Sequence, residues 1–389
     1  MKSRKLLWWL LAACALLVLA IAAFVVLVDE EALRARFQQA AEEALGTTVT
    51  IAGPVNAGVW PTPHLAANDV RVGDAETRLA DIDTVRLHIA ISSLFSARPQ
   101  VTHAGFDGVR VSALEREISF ADIRIGVDED ADQVTLDPIS FELLGGAGQG
   151  RLQGDFSAET PRWDLELDLD GFQLEAALQA LEPEARAAGQ MDFSVRLSAT
   201  GERLEEIERT LAGTISLRGE ALTLHGRDLD KRLADYESTR KFGLLDAGAV
   251  LLAGPVGLVV TKGRDLARLQ FAGEGSTEFR RVISDWEVRD GVARAVDVAA
   301  ATRRNRIAVR GNIDFAARRF ESLDILLLDR RGCAVMEQAV SGPFSDPRVE
   351  EPNAVETLVG PLIDLVETGL AQLTDKKCEV VYDGAVSAP

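Results

Sequence analysis

The side chains of this chain that could do chemistry are few and widely spaced. Its four histidines, His64, His88, His103 and His225, are scattered and never stand at i, i+4 around a carboxylate, so the zinc-protease pattern is absent. Its three cysteines, Cys14, Cys333 and Cys378, contain no Cys-x-x-Cys pair, which removes the usual thiol-exchange motif. The run Gly145-Gly-Ala-Gly-Gln-Gly150 misses the G-x-G-x-x-G spacing from every start and reads as a loose turn before the next strand. There is no G-x-S-x-G elbow and no P-loop. Carboxylates are abundant, but most alternate with apolar residues, the placement of solvating charge. The expectation is a protein that is not an enzyme and uses no cofactor and no metal.

The elements around these residues begin with Leu6 to Val28, an apolar run without a charge. As a helix rising about 1.5 Å per residue it spans roughly 34 Å, enough for a hydrocarbon core of about 30 Å. Lys2, Arg4 and Lys5 precede it and Asp29, Glu30 and Glu31 follow, so residues 1–5 are expected in the cytoplasm and everything after Val28 across the membrane. A cleavable signal peptide is the alternative. Bulky Phe24, Val25, Val26 and Leu27 occupy the place where small residues would be needed, which favours an uncleaved anchor.

The formal net charge of −19 repels nucleic acid and gives no attraction to anionic headgroups, so lipid contact beyond the anchor must use acyl chains. Export to an oxidising compartment makes a Cys333–Cys378 disulfide the favoured expectation, with two separate buried thiols as the alternative.

After the anchor, residues 29–46 read as a juxtamembrane helix. Asp29 is its N-cap, Leu33, Phe37, Ala40, Ala41, Ala44 and Leu45 form its apolar face, and Gly46 stops it. Its expected role is to cap the following sheet. From Thr47 the period becomes two. Val85, Leu87, Ile89 and Ile91 alternate with polar positions; Trp163, Leu165, Leu167 and Leu169 alternate with Asp164, Glu166, Asp168 and Asp170; Met191, Phe193, Val195 and Leu197 repeat the pattern. One apolar and one charged face imply an antiparallel, half-solvated sheet. The fold class is therefore mainly β (α+β), with short helices over 174–181, 228–241 and 354–373. A recurrent apolar-polar-Gly-polar-apolar motif (Leu152–Phe156, Leu217–Ala221, Val309–Ile313) suggests glycine bends in a curved sheet. Leu244 to Val260 is very apolar but holds Asp246, Gly254-Pro255 and Gly257, and is expected in the mouth of the sheet or at a bilayer interface rather than as a second span.

With anchor and strands in place, the sequence resembles the bacterial AsmA family. Ala44-Leu-Gly-Thr-Thr-Val-Thr-Ile-Ala-Gly53, Trp60-Pro-Thr-Pro-His-Leu and Asn68-Asp-Val look like its N-terminal block. Val288-Arg-Asp-Gly-Val292, Ile307 to Phe315 and Val340 to Pro347 look like its C-terminal block. The resemblance implies an inner-membrane, single-pass anchor and a periplasmic β-groove over 47–350, with a C-terminal helical segment and tail over 351–389. It also implies links to bridge-like lipid transfer and outer-membrane homeostasis. On that reading Val85, Leu87, Ile89, Ile91, Trp163, Leu165, Leu167, Leu169, Met191, Phe193, Val195 and Leu197 line an elongated apolar groove for phospholipid or another acyl lipid. Fifteen to twenty strands would give a groove on the order of 70–95 Å at about 4.8 Å per strand, short for a full periplasmic crossing by one copy. The competing expectation is a non-enzymatic periplasmic scaffold that binds a periplasmic or outer-membrane protein at a sheet edge. From periodicity alone, a filled core accounts for the same side chains.

Overall fold

The computed structural model describes residues 30–45, 47–58, 62–74, 78–93, 100–113, 116–130, 132–179, 184–226, 228–231, 233, 275–354 and 379–389. The expected anchor over 6–28, the apolar stretch 244–260, most of the expected C-terminal helix, Cys14 and Cys378 lie outside these residues. Among the described residues no helix is long and apolar enough to cross a membrane. The chain divides into two compact units, Met1–Glu142 and Leu143–Pro389, where the sequence suggested one body over 47–350.

The first unit opens with helix α1 (Glu30–Leu45), whose first residue follows the expected Asp29 cap. Its Leu33, Phe37 and Ala41 pack on the buried cluster Val49, Ile51, Val55, Ala67, Val70 and Val85, as expected for a helix that caps a sheet. Two polar clips hold it there. Gln38 Nε2 donates to the Val49 carbonyl at 3.0 Å, and the Val49 amide donates to Glu42 Oε1 at 3.1 Å.

Strands β1 (Val49–Ile51) and β2 (Val55–Gly58) share one edge of β3 (His64–Gly73). The antiparallel ladder continues through β4 (Arg78–Ile89), β5 (Val101–Ala113) and β6 (Arg116–Asp130). Strand β7 (Gln133–Leu143) lies beside β6, where the Gly126 Cα sits against the Asp137 carbonyl and the Phe120 and Phe141 rings meet edge-on at 6.0 Å. One feature here could not be read from alternation. Ala67, Val85, Phe106 and Ile123 share a rank, and so do Val70, Ile82, Val109 and Phe120 three residues along each strand. A spacing of three breaks a period of two. The alternation slips where Asp69, Gly108 and Asp122 take positive φ, while the ladder register is kept.

The second unit is a longer antiparallel series: β8 (Gly146–Asp155), β9 (Arg162–Gln173), β11 (Gln190–Thr200), β12 (Ala212–His225), β13 (Ser276–Arg289), β14 (Val292–Ala301), β15 (Arg306–Asp314), β16 (Arg319–Leu328) and β17 (Ala334–Pro343). The short β10 (Ala187–Ala188) extends the line of β11 along β12, and β18 (Arg348–Val349) and β19 (Asn353–Ala354) cover the outer edge of β17. Helices α2 (Leu174–Gln179) and α3 (Leu204–Thr210) sit in connections. The Gly145–Gly150 run is not a loose turn. The chain turns at Leu144 and Gly145, both at positive φ, and Gly146 already starts β8. A helix beginning at Ala354 is likewise corrected, because that residue pairs with Met336 and extends the ladder on the β17 edge.

Candidate functional site

In an antiparallel pair, directly opposed residues project to the same face. The registers of the second unit therefore define its apolar surface. Leu152 faces Leu165, Leu165 faces Leu197, and the rank continues through Gly213, Val288, Ala293, Ile313 and Phe320 to Gly342. Every member is apolar or glycine across nine strands, a width of roughly 38 Å at about 4.8 Å per step. A second rank runs Met191, Gly219, Val282, Ala300, Ile307, Leu327, Met336.

The eight candidates expected on β9 and β11 are brought together by this register. Leu165 stands opposite Leu197, Leu167 opposite Val195 and Leu169 opposite Phe193, while Trp163 faces Ala199. A register shift between Met191 and Phe193 then places Met191 opposite Phe172. Burial grades along the face. Trp163, Leu165, Leu167, Phe193 and Leu197 are half-buried, and Leu169, Met191 and Val195 are buried. From β13 to β16 the same face is closed, with Val282, Ile307, Ile313, Phe320, Leu323 and Ile325 at 0% exposure and Trp286 at 1%. The less buried part of the face is thus its β8–β11 end.

Trp163 is positioned at that end by three contacts. Its Nε1 donates to the Gly201 carbonyl at 3.0 Å, its ring meets Phe156 edge-on at 5.4 Å, and Gly154 beneath it leaves the space a Cβ would take. Phe156 itself is 42% exposed. Leu152, Ile215 and Leu217 belong to this surface although the sequence reading did not select them; the alternation of Ile215, Leu217 and Gly219 is the signal that could have found them.

The candidates of the first unit fare differently. Where a groove lining was expected, Val85 is part of a packed cluster that α1 joins and Leu87 lies partly buried against it. Ile89 is half-buried at the end of β4. Ile91 is not on a strand at all. It lies in a 3-10 turn, Ile91–Ser93, and is 66% exposed, because the chain has already left the ladder.

The opposite face of the second unit carries charged pairs beside a buried apolar cluster that includes Ile283, Ala308 and Leu326. Arg196 donates to both Asp168 oxygens, at 3.0 and 2.7 Å; Arg218 reaches Asp285 at 2.6 Å; Arg310 reaches Asp324 at 2.9 Å and Glu337 at 3.3 Å. Hydrogen bonds donated to these carboxylates hold all three guanidinium groups above their ordinary range. Of the acids that alternate along β9, Asp168 and Glu166 are met by Arg196 on the next strand and Asp164 by Arg162 on its own, and the pairs are exposed enough to contribute little each. No group of three ligating side chains close enough to hold a metal occurs among the described residues.

Cys333 is disulfide-bonded, and its backbone is bridged to Val380. Cys378, the partner expected from sequence, lies outside the described residues. His64, His88 and His103, which look scattered in sequence, are cross-strand neighbours: His64 faces His88 on β3 and β4, and His88 faces His103 on β4 and β5.

Comparison with known proteins bears on the first third of the chain. The model of the AsmA family matches residues 1–116. No curated protein and no solved structure matches this sequence. The matched residues contain the blocks at Ala44–Gly53 and Asn68–Val70 that carried the resemblance, whereas Val288–Val292, Ile307–Phe315 and Val340–Pro347 fall beyond them. Over residues 1–116, this chain is similar to the AsmA family.

Proposed function

We propose that this is a membrane-anchored, periplasmic lipid-handling protein that holds or passes phospholipid acyl chains on the open apolar face of β8, β9 and β11. The observation that carries the reading is the unbroken apolar rank through Leu152, Leu165 and Leu197, half-buried where it begins and closed from β13 onward. An acyl chain laid on it needs no specific polar partner. Each buried CH₂ contributes about 0.8 kcal/mol, so a chain of about sixteen carbons gains on the order of 12 kcal/mol before the losses of immobilisation are subtracted. Headgroups stay in water at the strand ends. The AsmA family match over residues 1–116 and the mainly antiparallel β architecture support the reading. Anchoring through residues 6–28 in the inner membrane, a role in outer-membrane homeostasis and an envelope-protein partner are parts of the same proposal.

The test is native mass spectrometry of the full chain purified from membranes in mild detergent. Phospholipid should co-purify with the wild type and be lost from a Leu165→Asp, Leu167→Asp variant that keeps the wild-type circular dichroism. A lipid-free wild type, or an equal lipid load in the folded variant, sinks the proposal.

A further inference from the structure

The histidine row of the first unit is used neither by the apolar face nor by any ion pair named above. His64, His88 and His103 stand directly opposite one another on three successive strands, with ring centroids 5.9 Å and 6.2 Å apart. They lie on the polar face, away from the cluster that α1 covers. Each ring has its Nδ1 engaged. His64 Nδ1 is 2.9 Å from the Thr62 carbonyl, His88 Nδ1 is 2.9 Å from Thr62 Oγ1, and His103 Nδ1 is 3.2 Å from Thr102 Oγ1. A carbonyl can only accept, so His64 carries its proton on Nδ1 and the Nε2 lone pair is free. Fixing Nδ1 by an outer partner so that Nε2 can ligate is the arrangement found around metal-bound imidazoles.

From this geometry we propose that His88, with His103 and His64 on its flanks, forms a binding site for a divalent transition metal, zinc being the ion of choice for all-imidazole donors. Two imidazoles bound through Nε2 to one tetrahedral zinc at about 2.1 Å place their ring centroids about 5.2 Å apart. The two observed spacings exceed that by about 1 Å or less, a distance that small side-chain rotations cover. The rings do not converge on one point as they stand, in keeping with the absence of a preassembled triad among the described residues.

Arg86, on the same strand as His88, is paired with Asp107 at 3.0 Å, which offsets its repulsion of an incoming cation.

Zinc chloride titrated into the full chain in mild detergent, followed calorimetrically, decides the matter. The expected result is one saturable zinc per chain, at least tenfold weaker binding in His88→Gln, a smaller loss in His103→Gln, and weakening as pH falls from 7.5 to 5.5 because protons compete for the imidazoles. Circular dichroism of each variant at its wild-type value keeps loss of fold from imitating loss of the ligand. Absence of saturable uptake, or uptake unchanged in folded His88→Gln, overturns the site; the second result assigns the ion to the acidic surface.

Discussion

Gly311 shows how much one residue decides in a ladder of this kind. It sits at φ +116, and a Cβ there would lie 1.8 Å from the Ser322 carbonyl oxygen of the neighbouring strand. Both the left-handed backbone and the close strand approach require glycine, and the register of β15 against β16 shifts next to it, between Asn312 and Ile313. Gly311→Ala should destabilise the second unit by on the order of 3 kcal/mol, read as a lowered denaturant midpoint. A midpoint unchanged within error would mean the bulge relaxes. Gly154, read from the same sequence motif, does something else, since it makes room for the Trp163 ring. The shared motif was legible in the sequence. Its two different uses were not, because they depend on which residue of the adjacent strand lies opposite.

At the scale of elements, residues 379–389 form an irregular segment fastened to the second unit by polar contacts. Tyr382 and Val386 join a buried cluster with Ile283, Ala299, Ala301, Ala308, Leu326 and Leu328. The Tyr382 hydroxyl donates to Asp297 Oδ1 at 2.5 Å and accepts from the Val386 amide at 3.0 Å, and the Ala385 amide donates to Asp297 Oδ2 at 2.9 Å. Arg306, 6% exposed, donates to the Val386 carbonyl at 3.1 Å and the Asp329 carbonyl at 3.0 Å and stacks over the Tyr382 ring. Burial and the Asp297 contact push the phenol far above its ordinary range, so it remains a donor at any working pH. Tyr382→Phe removes a charge-assisted hydrogen bond and leaves the Val386 amide without its acceptor. A cost of about 1.5–3 kcal/mol is expected, seen as earlier chemical unfolding and faster proteolysis at the tail. Proteolysis at wild-type rate would show that the apolar contacts alone hold the segment. Helix α1 offers the contrast: its apolar spacing announced a packed face, and the packing on β1 to β4 followed.

For the molecule as a whole, stability should fall with acid in two steps, each with a defined sign. His88 has a folded-state pKa below its ordinary 6.5, so the unfolded chain takes the proton first and stability drops as pH falls through and below that value. Asp83 is lowered chiefly by its hydrogen bond from Arg110, and Glu287 by hydrogen bonds from Arg289 and Arg294. Their contribution is present above the ordinary carboxylate range and is lost as pH falls through the lowered values. Asp83 is exposed and His88 and Glu287 are partly so, so each step is modest and shrinks in high salt. Thermal midpoints measured with a chelator present should decline from pH 7 to 5 in the wild type and stay flatter there in His88→Gln, with a common, steeper fall below pH 4. Equal declines from pH 7 to 5 in both proteins would remove His88 as the cause.

The sequence by itself determined the period-two strands, the two-faced chemistry of Trp163–Asp170 and Met191–Leu197, the capping helix and the lack of a catalytic motif. These are local properties: side-chain alternation and helical spacing are written in neighbouring residues. The tertiary structure decided what the strands line up with. It matched Leu165 to Leu197 and Asp168 to Arg196, set Val85 in the cluster that α1 joins, and left Ile91 outside the ladder. It also drew His64, His88 and His103 from scattered positions into one row. Register across a sheet is fixed by hairpin lengths, bulges and positive-φ residues acting together over many strands, and no short stretch of sequence carries that sum.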